Sequence, residues 1–255
     1  MMRARKALAP LTLIVLLLAA WEAGCRVGHV PSYFLPPPSQ IAAALAAGAP
    51  SLALAAWRTL SVALLALALA SVAAVSIGLA AALSPAFQRA VHPLAVGLQV
   101  TPLIAIAPLF VIWAGIDHPA RAVIALAAVV AFFPIYSGTV SGLRSADPGL
   151  EKLFDLYGAR PLQRLLRLRL PSAVPAIVEG HKVAAGLAIV GAVVAEFVAG
   201  SGGAQGIAWR ILEAGNRLQT AKMFAAIIVL AVMAALLQFV FQALERRALA
   251  WWRGG

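Results

Sequence analysis

The chain reads as an all-α, polytopic membrane protein with six transmembrane helices. Hydrophobic residues fill 63% of the 255 positions and charged residues 11%, against about 45–50% and about 25% in an ordinary soluble domain. The apolar residues gather into runs at 7–24, 59–83, 94–116, 122–143, 183–203 and 223–244. Each is long enough to cross a hydrocarbon core of about 30 Å, which takes roughly 20 helical residues. Backbone that cannot pair internally is not tolerated in lipid, so each run is read as a helix. One membrane domain, 1–255, accounts for the whole chain, and the single Cys25 excludes an internal disulfide framework.

The first run follows Arg3, Arg5 and Lys6 and is interrupted only by Glu22. Ala23-Gly24-Cys25 has the look of a lipoprotein cleavage site, but Glu22 stands where such a signal wants Leu, and five further runs follow; a retained helix is expected. Pro31, Pro36, Pro37 and Pro38 then make a stiff, extended connection. Ser39 is expected to cap a short helix at 40–47.

The second run is rich in small residues, among them Ser61, Ala63, Ala66, Ala70, Ser71, Ser76 and Gly78. Gly138 and Gly142, with Ser137 and Ser141, make a similar face at the end of the fourth run. Small side chains let helices approach closely, so these faces predict packing within a subunit or between two. The third run contains Pro102, next to Thr101, and Pro108. Proline inside a helix removes a backbone hydrogen bond. Such breaks persist in membranes where neighbours or a cavity satisfy the freed groups, and they line substrate paths in many transporters. A packing kink and a path-lining break are both open here. Glu196 is the lone carboxylate in the fifth run; it is expected at the interface, paired with Arg210 or Arg217, or in a gate or substrate path.

With both ends placed in the cytoplasm, fourteen of the twenty Lys and Arg residues fall in the inside segments, as the positive-inside rule requires. The net charge of +11 is therefore a topology signal. No basic patch is interleaved with aromatics in a soluble fold, so nucleic acid is not an expected partner. Trp57, Trp113, Trp209, Trp251 and Trp252 lie near span ends, where interfacial belts form. An enzyme finds few tools here. His29, His92, His118 and His181 are scattered, none with a second ligand at metal spacing. A nucleotide-binding Gly-x-x-x-x-Gly-Lys-Ser/Thr is absent. The glycine-rich 200–206 stretch lacks the lysine and is read as a tight re-entry loop.

The segment 144–182 stands apart as a polar, basic insert between the fourth and fifth runs, on the cytoplasmic side. Asp147-Pro148 predicts a helix start, with Asp as cap and Pro in the first turn. Leu150, Leu153, Phe154 and Tyr157 follow at helical spacing and form one apolar face. Gly158 is expected to end that helix in a left-handed conformation. Pro161 opens a second, amphipathic helix with Arg160, Arg164 and Arg167 on one face and Leu162, Leu165 and Leu166 on the other, and Pro171 is expected to stop it. Periodicity alone fits a helix lying on anionic lipid or a docking element for a soluble partner.

Gly158, nine residues, then Leu168-Arg169-Leu170-Pro171 resembles the cytoplasmic signature loop of ABC importer permeases: Glu-Ala-Ala, three residues, Gly, nine residues, Ile-x-Leu-Pro. Lys152, Leu153 and Phe154 replace Glu-Ala-Ala. The resemblance continues through Leu35-Pro36-Pro37-Pro38-Ser39, Thr101-Pro102 with Pro108, Ile112-Trp113-Ala114-Gly115, Phe132-Phe133-Pro134, Asp147-Pro148 and Ala195-Glu196, and is closest to the nitrate/sulfonate/taurine subgroup. It implies a type I ABC importer permease fold with a cytoplasmic coupling helix between helices 4 and 5. It also implies a multi-pass protein of the bacterial inner membrane with both termini cytoplasmic. The implied partners are a second permease copy, a cytoplasmic ATPase dimer that uses ATP and Mg, an external solute-binding protein and membrane lipid. This chain would bind no cofactor and carry no catalytic residue. Lys152, Asp155, Gly158, Ala159, Leu170 and Pro171 would couple to the ATPase. Thr101, Pro102, Pro108 and Glu196 would line the path for a small solute, such as a sulfonate, taurine or nitrate. The alternative is a self-contained secondary transporter that carries protons on Glu196.

Overall fold

A computed structural model describes residues 2–115, 118–199 and 205–252, with side chains for all of these except 2–11, 103 and 251. The side chains of Arg3, Arg5 and Lys6, most of the 200–206 loop, residue 116 at the end of the third run, the Trp251 side chain and Arg253 lie outside the described residues. The described residues are helical, without strands. The helices are α1 (Met2–Val27), α2 (Pro38–Leu83), α3 (Pro85–Val100), α4 (Leu103–Ala114), α5 (Pro119–Leu143), α6 (Pro148–Leu156), α7 (Pro161–Arg164), α8 (Leu170–Ala199), α9 (Ile207–Asn216) and α10 (Thr220–Trp252). Among the described residues, α2, α5, α10 and the stretch Pro161–Ala199 are each long and apolar enough to cross a membrane, and α3 with α4 are so only as a pair bent by 106°.

The centre of the bundle is α2, α5 and α8, and small residues make it possible. Ala63, Ala66, Ala70, Ala74 and Gly78 of α2 recur every three or four positions and are buried, while Ser61, Ala68 and Ser76 on the other face are exposed. A Cβ on Gly138 would lie 2.6 Å from the Ala176 carbonyl oxygen, and one on Gly180 would lie 2.6 Å from that of Pro134. The Gly138–Gly142 face is thus an α5–α8 contact within one chain. Such close backbone approach increases dispersion contact where water supplies no drive between helices. Leucine and valine side chains such as Leu65, Leu69 and Val72 point outward and are exposed, as suits a lipid-facing surface.

Three sequence expectations are corrected. The separate helix at 40–47 does not exist; α2 runs unbroken from Pro38 through Pro50. Packing explains its survival, since Ile41, Leu52 and Ala55 bury against Ile207, Ala225 and Ala226. Ser39 is not a cap, because Pro37 holds that position. Instead the Glu22 carboxylate accepts the Ser39 N–H at 3.0 Å and the Ser39 hydroxyl at 2.8 Å, beside its ion pair with Arg26. A negative charge there complements the helix N-terminus. Finally, Pro171 does not stop a helix. A single π-helical turn, Leu165–Arg169, joins α7 to α8 without a break, and the Leu170 N–H donates to the Leu165 carbonyl. The wider turn makes room for a proline ring that would otherwise crowd the preceding turn.

Candidate functional site

The insert is built as its sequence predicts at its first turn and its glycine. Asp147 Oδ1 accepts the N–H groups of Gly149 at 2.6 Å and Leu150 at 3.1 Å, which fixes the start of α6. Its end is a Schellman closure. Gly158 has φ +62°, its N–H donates to Asp155 O at 3.0 Å, and the Ala159 N–H donates to Phe154 O at 3.0 Å. A residue with a Cβ is disfavoured in that conformation, so the turn depends on glycine. Gln163 Oε1 then accepts the Arg160 N–H at 2.9 Å, and Pro161 opens α7.

Charge holds the two arms together. Arg169 forks onto Glu151, Nε at 2.7 Å and Nη2 at 3.3 Å. Arg164 reaches Glu151 at 3.5 Å and also pairs with Asp155. Glu151 and Asp155 are one helical turn apart on α6, so a single face clasps both arginines. Of the arginines predicted to share one face, Arg164 is engaged in these pairs. The leucines also divide differently from the predicted pattern. Leu165 is buried with Leu143 and Ala173, beside Leu170, and Leu168 is buried too, whereas Leu162 and Leu166 are exposed. Leu150, Leu153, Leu156 and Tyr157 are exposed as well, Leu156 at 85% and Tyr157 at 82%. The result is a salt-bridged hairpin with an uncovered apolar surface and Lys152 exposed beside it.

At the break between α3 and α4, Pro102 has no N–H to give the Leu98 carbonyl. The Thr101 N–H and hydroxyl both turn back to Gly97 O, at 3.1 Å and 2.7 Å, and the Ala105 N–H restarts the helix on Pro102 O. Thr101 and Pro102 border a cavity of about 490 Å³ together with Gln99, Phe133, Leu187 and Val190. Pro108 stays within α4 and exposed, and it does not border this cavity. Neither does Glu196. The structure thus brings two of the four predicted path residues together.

Glu196 is 2% exposed and pairs with neither predicted arginine. Arg210 and Arg217 both pair with Glu213, each at 3.1 Å. The Glu196 carboxylate accepts the Thr59 hydroxyl at 2.7 Å and the Ala208 N–H at 3.1 Å. Thr59 Oγ1 in turn accepts the Ile207 N–H at 2.9 Å. Together they satisfy the first turn of α9, whose own cap, Gly206, has no side chain to offer. A Cβ on Gly206 would overlap the carboxylate. Thr59 and the first turn of α9 thus give this buried carboxyl polar partners. Thr59 was missed by sequence reasoning, since nothing local to it announces a partner 137 residues away. The Glu151–Arg169 clasp was missed for the same reason. Trp252, read as an interfacial residue, donates its indole N–H to the Pro171 carbonyl at 2.7 Å.

Comparison with known proteins agrees with this architecture. Residues 74–249 match the family described as "Binding-protein-dependent transport system inner membrane component". The chain is 31% identical to a probable ABC transporter permease protein of Haemophilus influenzae, over 91% of this chain and 93% of that one. It is 32% identical to the formylaminopyrimidine transport permease protein of Halalkalibacterium halodurans, over 98% of each. It is 29% identical to the taurine transport system permease protein of Escherichia coli, over 93% and 87%. A helical bundle with several membrane-spanning helices, a glycine-turn insert between α5 and α8, and a match across most of the length lead to one conclusion: the chain belongs to the inner-membrane permeases of binding-protein-dependent ABC importers, in the sulfonate/taurine-type subfamily.

Proposed function

We propose that this chain forms the translocation path of an ABC importer and takes its energy from a cytoplasmic ATPase that docks on the 148–171 insert. The observation that carries the reading is the uncovered apolar surface of that insert. Leu150, Leu153, Leu156, Tyr157, Leu162 and Leu166 are all exposed on a hairpin braced by ion pairs among Glu151, Asp155, Arg164 and Arg169. An exposed apolar cluster on a polar, braced element marks an interaction site, and the Arg–carboxylate clasp makes the hairpin stiff enough to transmit a push. Gly158 and Ala159 set its turn, Leu170 and Pro171 join it to α8, and Lys152 and Asp155 flank the apolar face.

In this reading, both termini and the insert are cytoplasmic, six helices span the membrane, and two copies of the chain meet two ATPase subunits. ATP closure moves the insert, and the bundle alternates between outward and inward access. The chain supplies no nucleotide site; ATP and Mg belong to the partner. The cavity beside the Thr101–Pro102 break is the segment of the path this chain lines, and Glu196 holds the bundle's far end. An external solute-binding protein delivers a small solute, with oxyanions such as sulfonate, taurine or nitrate as the leading class. The cavity lining offers Gln99 and Thr101 but no cation, so selectivity among solutes rests largely on the external protein. No observation favours a self-contained secondary transporter.

Co-purification tests the reading. The detergent-solubilised chain, expressed with its native gene neighbourhood, should bring down an ATPase, and Leu153→Asp with Leu156→Asp should abolish that capture while the permease still inserts. Capture of no ATPase by the unaltered chain, or undiminished capture by the double variant, sinks it.

A further inference from the structure

We infer that the end of α10 is a strut on the insert, joined to it by Trp252. The argument begins with two prolines. In an α-helix the carbonyl of residue 171 takes its hydrogen bond from the N–H of residue 175, and residue 175 is proline, inside α8. Pro175 has no N–H, so the Pro171 carbonyl lacks its ordinary intrahelical donor. The Trp252 indole supplies one at 2.7 Å, from 81 residues away. Pro171 directly follows the residue that closes the π-helical turn. The contact therefore falls where the insert becomes a long helix.

A second tie lies farther along the same pair of helices. Lys182 Nζ reaches both oxygens of Glu245 at 3.2 Å and Glu179 at 2.6 Å. Residues 171 and 182 of α8 thus meet 252 and 245 of α10 in antiparallel order. Two ties about 10–16 Å apart along the helices resist rotation as well as separation. Force applied to the insert then reaches α10 directly, and not only through α8. Trp252 acts through the Pro171 carbonyl, so it is a positioning residue.

The consequence for transport rests on the docking role proposed for the insert; the strut itself does not. Amide exchange separates the two. In the permease alone, in lipid nanodiscs, Trp252→Phe keeps an aromatic ring and removes the donor. Exchange across 165–171 should rise about fivefold, the worth of one net hydrogen bond. Adding Pro175→Ala returns an N–H to α8 opposite the same carbonyl but does not rejoin α10, so W252F/P175A should still exchange faster than the wild type at 245–250. No rise in W252F overturns the strut, and so does a double variant that exchanges like the wild type at both 165–171 and 245–250, because the bond would then serve only the carbonyl. In the complex with its ATPase, MgATP should alter exchange at 245–250 in the wild type and less in W252F, where only the Lys182–Glu245 tie remains; an equal response in the two overturns transmission through Trp252. An unresponsive wild type overturns transmission through α10. If no complex forms, the docking reading falls while the nanodisc measurement still decides the strut.

Discussion

The two ends of α8, about 45 Å apart for a helix of this length, handle charge in opposite ways. At the insert end, Glu151, Asp155, Arg164 and Arg169 pair with one another at a partly exposed surface, and the apolar side chains nearby are left uncovered. At the α9 end, a single carboxylate, Glu196, is swallowed, and its partners are a hydroxyl and a backbone N–H. The insert end braces its two arms with these pairs and leaves apolar side chains such as Leu156 and Tyr157 exposed. The α9 end is built to stay shut. Its polar group is spent on closing a helix against α2 and α8. The same residue type braces a surface hairpin where water is present and staples the fold where it is not.

The largest expected effect breaks the α9 end. Glu196→Ala strands the Ala208 N–H in a buried site and leaves the Thr59 hydroxyl only the Ala55 carbonyl at 3.4 Å; one unsatisfied group at about 1–3 kcal/mol plus one weakened bond at about 1 should cost about 2–4 kcal/mol. Thermal unfolding in detergent reads the loss, and amide exchange should localise it to 207–210. Glu196→Gln keeps an acceptor and should lose less than half as much. Equal losses for the two would mean that the charge, and not the bonding, holds α9.

Gly158→Val comes next and tests the insert end. A β-branched residue at φ +62° costs about 1–3 kcal/mol of local strain, enough to open the turn without unfolding the spans. ATP hydrolysis by the assembled importer should become uncoupled from solute uptake, with membrane insertion intact. Full uptake by G158V would remove the turn from the mechanism. Thr59→Val then probes the staple more gently. It deletes the donor to Glu196 and the acceptor for Ile207, and should cost about 1–2 kcal/mol, largely restored by Thr59→Ser.

The two ends also differ in how far the sequence reveals them. The insert is written locally. Asp147-Pro148 starts α6 and Gly158 ends it, because caps and left-handed turns are decided within four or five residues. The α5–α8 seam is legible in part: Gly138 and Gly142 announce a close helix contact, but not that α8 of the same chain supplies it. The break at Pro102 follows from one missing N–H. What could not be read is what depends on distant partners. Glu196 finds Thr59 at a separation of 137 residues, and Trp252 finds Pro171 at 81. Pro171 shows the limit of a local rule: a stop signal by sequence, it is carried through by a π-helical turn. Pro50 likewise fails to end α2, because Ile41, Leu52 and Ala55 are packed on either side of it.

The smallest effect is the most discriminating for the insert. Glu151 and Arg169 form a two-pronged pair with side chains 21% and 32% exposed, between the surface pairs that contribute little and the buried pairs that contribute much. Exposed pairs measure about 0.2–1 kcal/mol in double-mutant cycles, and the fork should place this one toward the upper end of that range. Glu151→Gln, Arg169→Gln and the double variant, followed by exchange protection at 160–168, close the cycle. The coupling should shrink when ionic strength rises from about 0.01 M to about 0.15 M, as the screening length falls from about 30 Å to about 8 Å. A salt-insensitive coupling would mean that the pair sits in a dry pocket, and the insert end would then resemble the α9 end. A coupling of zero would leave the hairpin braced by Arg164 alone. That arginine contacts both Glu151 and Asp155, so loss of Arg164 would then be the change that lets the two arms separate.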